Sequence, residues 1–273
     1  SLIIYFQYRS VLAIILGVLW IITPLIMYSI SKEYKEKQAK EVLTLKEQEY
    51  VLKIGKKTWD FFNQYLNQDN NYLMPDNYQE DRKNKIVKRT SSTNIGLSMM
   101  AVISANDLGY IELDKALEIL EKIIYTIDSL QKWNGHLYNW YNIETKEPLI
   151  PRYISTVDSG NFVGYLYVIK TWLEEKKRED LVEIVDRLIK NTDFSKLYLR
   201  EQQIFSTGFN IEENKLTNSY YDLLASEARQ ASLIAIAKKD VPAKHWNSLS
   251  RTLTTLGKYK GLISWSGTSF EYL

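Results

Sequence analysis

Glu227 is the residue whose setting asks most for a chemical explanation. In "NSYYDLLASEARQASLIAIAKKD" (218–240) the apolar spacing predicts a helix. At about 100° per residue, Tyr220, Leu223, Ala231 and Ile234 fall within about 40° of Glu227, and Leu224 within about 60°. Arg229 points to the opposite side. A carboxylate on an apolar stripe needs a partner, hydration or a use. One reading is a glutamate bonded to a neighbouring loop. The other is an acid–base carboxyl at the mouth of a helical barrel, its pKa raised by burial.

Three loops carry the remaining chemistry. "PDNYQEDRKNKIVKRTSSTNIGL" (75–97) places Asp76, Asn77, Arg89, Thr90 and Asn94 around a helix start. "GHLYNWYNIETKEPLIPRYISTVDSGNFVG" (135–164) combines Tyr138, Asn139, Trp140, Arg152, Asp158 and Asn161, and "SWSGTSFEYL" (264–273) adds Trp265, Ser266, Gly267 and Glu271. Singly, these residues suit caps, turns and loop packing; Asp158 reads as an N-cap. Together, with 20 tyrosines and 7 tryptophans in the chain, aromatic rings beside Asn, Asp and Arg suit carbohydrate, whose C–H faces stack on rings.

Other chemistries lack support. There are no cysteines, hence no disulfide framework or thiolate metal site. The two histidines, His136 and His245, stand far apart, so no zinc or heme site is expected. No glycine-rich phosphate loop occurs, and a net charge of +2 is too balanced to argue for nucleic acid. No cofactor is expected.

The elements that must position these groups read as mostly helical. "VLAIILGVLWIITPLIMYSI" (11–30) has no charged residue and is long enough to cross a bilayer, with Pro24 tolerated as a kink. Lys32, Lys35, Lys37 and Lys40 follow it, against Arg9 before it, which predicts a cytoplasmic location for everything after residue 31. Residues 33–66 read as one long helix or two. Further helices are expected over about 92–108 and over 112–133, 159–175 and 179–191, with another pair from 218–240 and "KHWNSLSRTLTTL" (244–256). Long polar–aromatic connections at 67–91, 134–157 and 192–218 separate them; loops of that length are usually functional or disordered, and their tryptophans and tyrosines argue against disorder. The expected fold class is all-α, part of an (α/α)6 toroid, with about seven of its twelve helices present and an N-terminal transmembrane helix. The expected division is 1–31 transmembrane helix, 32–55 charged helical linker and 56–273 incomplete barrel, cut from a longer protein at both ends.

Six stretches in order carry a family resemblance: "PDNYQED", "RTSSTNIGL", "GHLYNWY", "PRYISTVDSGN", "SYYDLLASEAR" and "SWSGTSFEYL". From about residue 56 to its end the chain resembles the central, glucoamylase-like domain of cyclic β-1,2-glucan synthases. It departs from the family at Ser92, usually proline, and at Ser269, usually methionine. The resemblance implies a large membrane enzyme that makes cyclic β-1,2-glucan from UDP-glucose. Its central (α/α)6-type domain would cut linear β-1,2-glucan and rejoin it on itself by retaining transglycosylation. It also implies Glu227 as general acid/base, Tyr220, Tyr221 and Asp222 among the residues that bind the glucan, and a nucleophile beyond residue 273, which leaves this fragment alone inactive. The implied partners are linear β-1,2-glucan, the membrane and the remaining domains of the same polypeptide.

That chemistry needs two carboxyl groups about 5–5.5 Å apart, one protonated and one ionised. Burial of Glu227 on an apolar face would keep it protonated near neutral pH. Trp140, Tyr138 and Trp265 are expected as platforms that hold the acceptor and exclude water. Two rival readings use the same residues: a non-catalytic module that holds the growing glucan, and a structural helical domain that tethers membrane complexes.

Overall fold

The computed structural model describes residues 11–31, 42–256 and 259–272; of Ala13, Ile30, Ser31, Leu256 and Tyr259 only the backbone is described. Lys32, Lys35, Lys37 and Lys40 therefore lie outside the described residues. The chain divides into two compact units, residues 1–49 and 50–273.

The first unit holds α1 (Val11–Ser31), 21 residues with Pro24 inside and no charged residue. Among the described residues no helix is long and apolar enough to cross a membrane. In α1 the described side chains run unbroken only over 14–29, about 24 Å of helix against a hydrocarbon core of about 30 Å. The expected span thus finds a helix in its place but is not established by the structure. α2 (Leu45–Tyr65) crosses the boundary between the units.

The second unit is built from helix pairs: α3 (Ser92–Asp107) with α4 (Leu113–Ser129), α5 (Thr156–Glu175) with α6 (Glu179–Asn191), and α7 (Arg229–Ala237) with the short α8 (His245–Ser248). α5 packs on α3, α6 and α7, while α4 packs on α3 and α6. Helices α3, α5 and α7 thus form one layer and α4 and α6 a second, the alternation of an α/α fold. The two layers differ in pattern for a physical reason. α4 buries one stripe, Ala116, Ile119, Leu120, Ile123, Ile124 and Ile127, and α6 does the same with Leu181, Val185, Leu188 and Ile189. Each buried Ile, Leu or Val among them contributes about 1.5–3 kcal/mol of transfer free energy. α3 and α5 are enclosed on more than one side and bury small residues such as Gly96, Ser98, Ser159 and Gly160. A Cβ on Gly160 would lie 2.5 Å from Ala231 Cα, and one on Gly96 would meet the Tyr165 ring at 2.2 Å. Glycine is what lets these helices approach.

Serine caps start both enclosed helices. Ser91 Oγ accepts from Asn94 N–H at 3.2 Å and Ser155 Oγ from Asp158 N–H at 3.2 Å. Asp158 is therefore in the first turn of α5, and Ser155 is the cap.

Two corrections follow. The second unit is helix-rich rather than purely helical. Its long connections contain short antiparallel strands: β1 (Arg89–Thr90) pairs with β4 (Tyr141–Asn142), and β2 (Lys132–Trp133) with β3 (His136–Leu137). β5 (Tyr153–Ser155), β8 (Gly208–Asn210) and β9 (Lys215–Leu216) form one sheet, and β6 (Tyr198–Leu199), β7 (Ile204–Ser206) and β10 (Tyr220–Tyr221) another. The stretch 244–256 is helical only over α8 and then becomes β11 (Leu253–Leu256), paired with β12 (Tyr259–Leu262).

The second correction concerns 218–240. The helix begins only at Arg229, because Tyr220 and Tyr221 are taken by pairing with Ser206 and Phe205. A turn at Ser226, whose Oγ accepts from Ala228 N–H at 3.1 Å and whose carbonyl accepts from Arg229 N–H at 3.1 Å, then leads into α7. Glu227 sits in that turn and is exposed. The apolar helical stripe around it does not exist, and with it goes the burial on which the acid–base expectation leaned.

Candidate active site

Glu227 is nevertheless at a cavity. A volume of about 270 Å³ is lined by Thr207, Ser219, Tyr220, Tyr221, Ser226, Glu227, Trp265, Ser266, Thr268 and Glu271. β10 delivers Tyr220 and Tyr221, the turn before α7 delivers Ser226 and Glu227, and the Ser264–Thr268 loop closes the far wall. Tyr221 donates its phenol hydrogen to Glu227 Oε1 at 3.2 Å. Burial pushes the Tyr221 pKa up, and the charges of Glu227 and, more weakly, Asp158 push the same way, so the proton stays on the phenol. The Asp158 charge is thus felt at the Tyr221 phenol.

Glu271 is the second carboxylate in this cavity, and its position is different in kind. It is 5% exposed. Its carboxylate accepts from the backbone N–H groups of Trp265, Ser266 and Thr268 and from the hydroxyls of Ser266 and Thr268. The Ser266 hydroxyl does most to hold its pKa down at about 2, partly offset by burial, with the Thr268 and Ser266 amides adding to the effect. The sequence signal for this arrangement is Thr268-x-x-Glu271, a capping-box pattern, which the structure realises at a single 3₁₀ turn.

A second cluster forms where β1 meets the start of α3. Asp76 accepts from Arg89 Nη2 at 3.1 Å, from Asn94 Nδ2 at 3.2 Å and from Asn77 Nδ2 at 2.9 Å. The Arg89 guanidinium carbon lies 4.1 Å from the centre of the Trp140 ring. Asn161 donates to Thr93 Oγ1 at 3.2 Å and so ties α5 to the same end of α3. None of these residues lines the Glu227 cavity.

The other expected site residues are occupied elsewhere. Tyr138 is 3% exposed and packs edge-on against Tyr141, so it is core and not a sugar platform. Thr90 is fully buried on β1. Asn139 donates its backbone N–H to Tyr153 O at 2.7 Å, and its Oδ1 is buried without a partner among the described residues. Arg152 holds Glu212 through both Nε and its backbone N–H at 2.9 Å each, which pins β5 to the β8–β9 turn. Asp222 is exposed and offers its carbonyl to Ser250 N–H at 2.7 Å. Tyr220 donates to Asn218 Oδ1 at 2.5 Å on the cavity rim. Thr207, Ser219, Ser226 and Thr268 were not anticipated; the first three are isolated hydroxyls in loops with no periodic signal, and Thr268 is marked only by its capping-box spacing to Glu271.

A larger cavity, about 630 Å³, lies between Ser195–Gln203 and Ile236–Lys244. Its one acidic residue, Asp240, is engaged by Phe194 N–H at 3.1 Å and by Lys238 at 3.6 Å. Size alone favours this cavity; the chemistry favours the one at Glu227.

No protein-family model matches the chain. Its fold is that of glucoamylase-like proteins. It superposes on a putative glucoamylase from Bacteroides fragilis with a TM-score of 0.67 and 16% identity, over 84% of this chain and 57% of that one. An endo-β-1,2-glucanase from Chitinophaga pinensis, solved with sophorotriose and glucose, gives 0.68 and 15% over 83% and 57%. At such identities the likeness is one of fold. In sequence, the chain is similar to the cyclic β-(1,2)-glucan synthase NdvB of Rhizobium meliloti (strain 1021), with 27% identity over 94% of this chain. The resemblance carried by the six motifs is thereby borne out. The chain spans 14% of that synthase's length.

Proposed function

We propose that this chain contributes to the part of a membrane-bound cyclic β-1,2-glucan synthase that cuts linear β-1,2-glucan and rejoins it, by glycosidase-type chemistry with Glu227 as general acid/base and a carboxylate from outside this chain as nucleophile. The observation that carries the reading is Glu227 itself. It stands at the wall of a cavity rich in hydroxyl groups and rings, with one carboxylate oxygen held by Tyr221, in a glucoamylase-like fold whose sequence resembles a synthase of that product. A retaining mechanism passes through a glycosyl-enzyme, and transglycosylation follows if a sugar hydroxyl reaches it before water. Trp265 on the cavity wall is placed to hold a sugar there. Trp140, braced by Arg89, is a candidate for a more distant unit of the chain.

The membrane part of the proposal rests on sequence. α1 has no charged residue, its full length is about 31 Å of helix, and its large apolar side chains, Trp20 and Ile21 among them, are exposed. The lysines that follow orient the remainder to the cytoplasm.

The test is Glu227→Gln in the complete glucan-acting domain. General acid catalysis contributes typically 10²–10⁴-fold, so cutting and rejoining should fall by about that much while glucan binding survives. A substrate with a good leaving group should lose much less in its first step. Near-normal cyclisation by the variant would sink the assignment. A second reading, a module that holds glucan without cutting it, is favoured by one observation: the other carboxylate in the cavity, Glu271, is already fully engaged. Glucan binding without any role for Glu227 would select it.

A further inference from the structure

We propose that the Ser264–Thr268 loop is a pyranose-binding subsite in its own right, with Trp265 as the platform and Glu271 as the positioning residue that holds it. The sugar part rests on the β-1,2-glucan reading above. Two carboxylates in one cavity invite an assignment as acid and nucleophile, and the hydrogen bonds decide against it for Glu271. Its Oε1 accepts from Trp265 N–H at 2.9 Å and Ser266 N–H at 3.1 Å. Its Oε2 accepts from Ser266 N–H at 3.1 Å, Ser266 Oγ at 2.7 Å, Thr268 N–H at 3.1 Å and Thr268 Oγ1 at 3.3 Å. Five donor groups make six approaches to the two oxygens, so the carboxylate is engaged by its own loop. The three backbone N–H groups among them can only donate, which favours the ionised carboxylate. Glu271 is neither nucleophile nor acid. It is an anchor.

What it anchors is a short arch. Gly267 turns the chain at φ +71°, a conformation that a side chain would strain, and its N–H closes onto Ser264 Oγ at 3.0 Å. The backbone N–H of Trp265 is fixed by Glu271, yet its side chain is 65% exposed and lines the cavity that Glu227 also lines. An exposed indole on a fixed backbone is preorganised, so a ligand that stacks on it does not have to order the loop first. β-Linked glucose carries its hydroxyls equatorially and its C–H bonds axially, so each ring face is apolar and matches an indole face. Ser266 and Thr268, whose hydroxyls bond Glu271, line the same cavity.

The test is a double-mutant cycle in the full chain, read by calorimetric binding of linear β-1,2-glucan oligosaccharides. Trp265→Ala removes the platform and should weaken binding roughly tenfold, the scale of one aromatic contact. Glu271→Gln turns one acceptor oxygen into a donor, frees the arch and should weaken binding to a similar extent although it touches no sugar. The double variant should be no worse than Trp265→Ala alone, because both remove the same platform. Trp265→Phe should restore most of the affinity. The loop itself is read by acrylamide quenching of tryptophan fluorescence, with the Trp265 share obtained by difference from Trp265→Phe; Glu271→Gln should increase it. A Glu271→Gln protein with unchanged thermal midpoint, unchanged affinity and unchanged quenching overturns the anchor. Losses that simply add in the double variant overturn the coupling. If the wild-type chain binds no β-1,2-glucan, the functional reading and the sugar subsite fail together, and the quenching experiment still decides the anchor.

Discussion

The phenol of Tyr221 reaches across the turn that opens α7 and donates to Glu227 Oε1 at 3.2 Å. This one bond joins the β10 strand to the carboxylate that the functional reading depends on. It also replaces the apolar helical face as the feature that sets the local environment of Glu227. Tyr221→Phe removes the donor and leaves the ring. Glu227 is exposed, so the lost bond should change the thermal midpoint little, whereas a carboxyl no longer held in position should slow glucan cutting by about tenfold or more. Unaltered kcat and KM in Tyr221→Phe would show that the bond has no part in the chemistry.

Acid should weaken the fold through His136. Its ring is buried between Ser159 Oγ at 2.9 Å and the Asp193 carbonyl at 3.0 Å, and burial lowers its pKa from 6.5 to about 4. A carbonyl only accepts, so Nε2 carries the hydrogen and Nδ1 accepts from serine: the ring is neutral. The unfolded chain binds the proton first as pH falls. Stability is therefore complete above about pH 6.5 and is lost progressively down to about pH 4, by roughly 3 kcal/mol from this residue. Urea unfolding midpoints across that range should show the slope, and His136→Gln should flatten it while lowering stability overall. His245, whose pKa burial also lowers, adds in the same direction.

Gly160→Ala should destabilise the second unit by about 1–3 kcal/mol, the usual effect of overpacking. The new methyl would meet Ala231 backbone atoms at 2.5 and 2.9 Å, and a helix backbone has no rotamer with which to yield. Gly109→Ala makes a useful comparison. It has open space but a φ of +73°, so its effect isolates backbone strain. Equal urea midpoints for Gly160→Ala and wild type would show that α5 and α7 are not in close contact there.

Alkaline carbonate extraction should leave the chain in the membrane pellet, and deletion of residues 11–31 should release it. A reporter fused after residue 50 should behave as cytoplasmic. Release of the intact chain by carbonate would remove the membrane span from the proposal.

How much of this was legible depended on how many faces an element buries. α4 and α6 bury one stripe each, so Leu120, Ile124, Val185 and Ile189 announce them at helical spacing. α3 was readable from its start, where Ser91 caps it; α5 was readable too, but its cap is Ser155 and not Asp158, which lies in the first turn. Strands of two or three residues, such as β1 or β10, are too short for alternation to register, and they went unseen. The 218–228 stretch failed for a related reason. Tyr220, Leu223 and Ala231 sit at helical intervals by coincidence, one in a strand, one in an isolated bridge and one in a helix. In the site, the Asp76–Arg89–Asn94 grouping was visible as a motif, and Glu227 was found for a reason that did not hold. The role of Glu271 depends on which backbone amides converge on it, and that is a property of the folded loop alone.

His136 and His245 each have both ring nitrogens bonded within the fold, the latter to the Gln203 carbonyl at 2.7 Å and Ser232 Oγ at 2.9 Å. They are the chain's two histidines, and it has no cysteine. Every side chain of this chain that ordinarily titrates near neutrality is therefore committed to holding helices in place. Whatever proton traffic the cavity supports must run through carboxylates, phenols and the hydroxyls of the sugar itself. No imidazole of this chain shapes the pH–rate curve of such a site, and an inflection near neutrality should be read as that of a carboxyl acting as general acid.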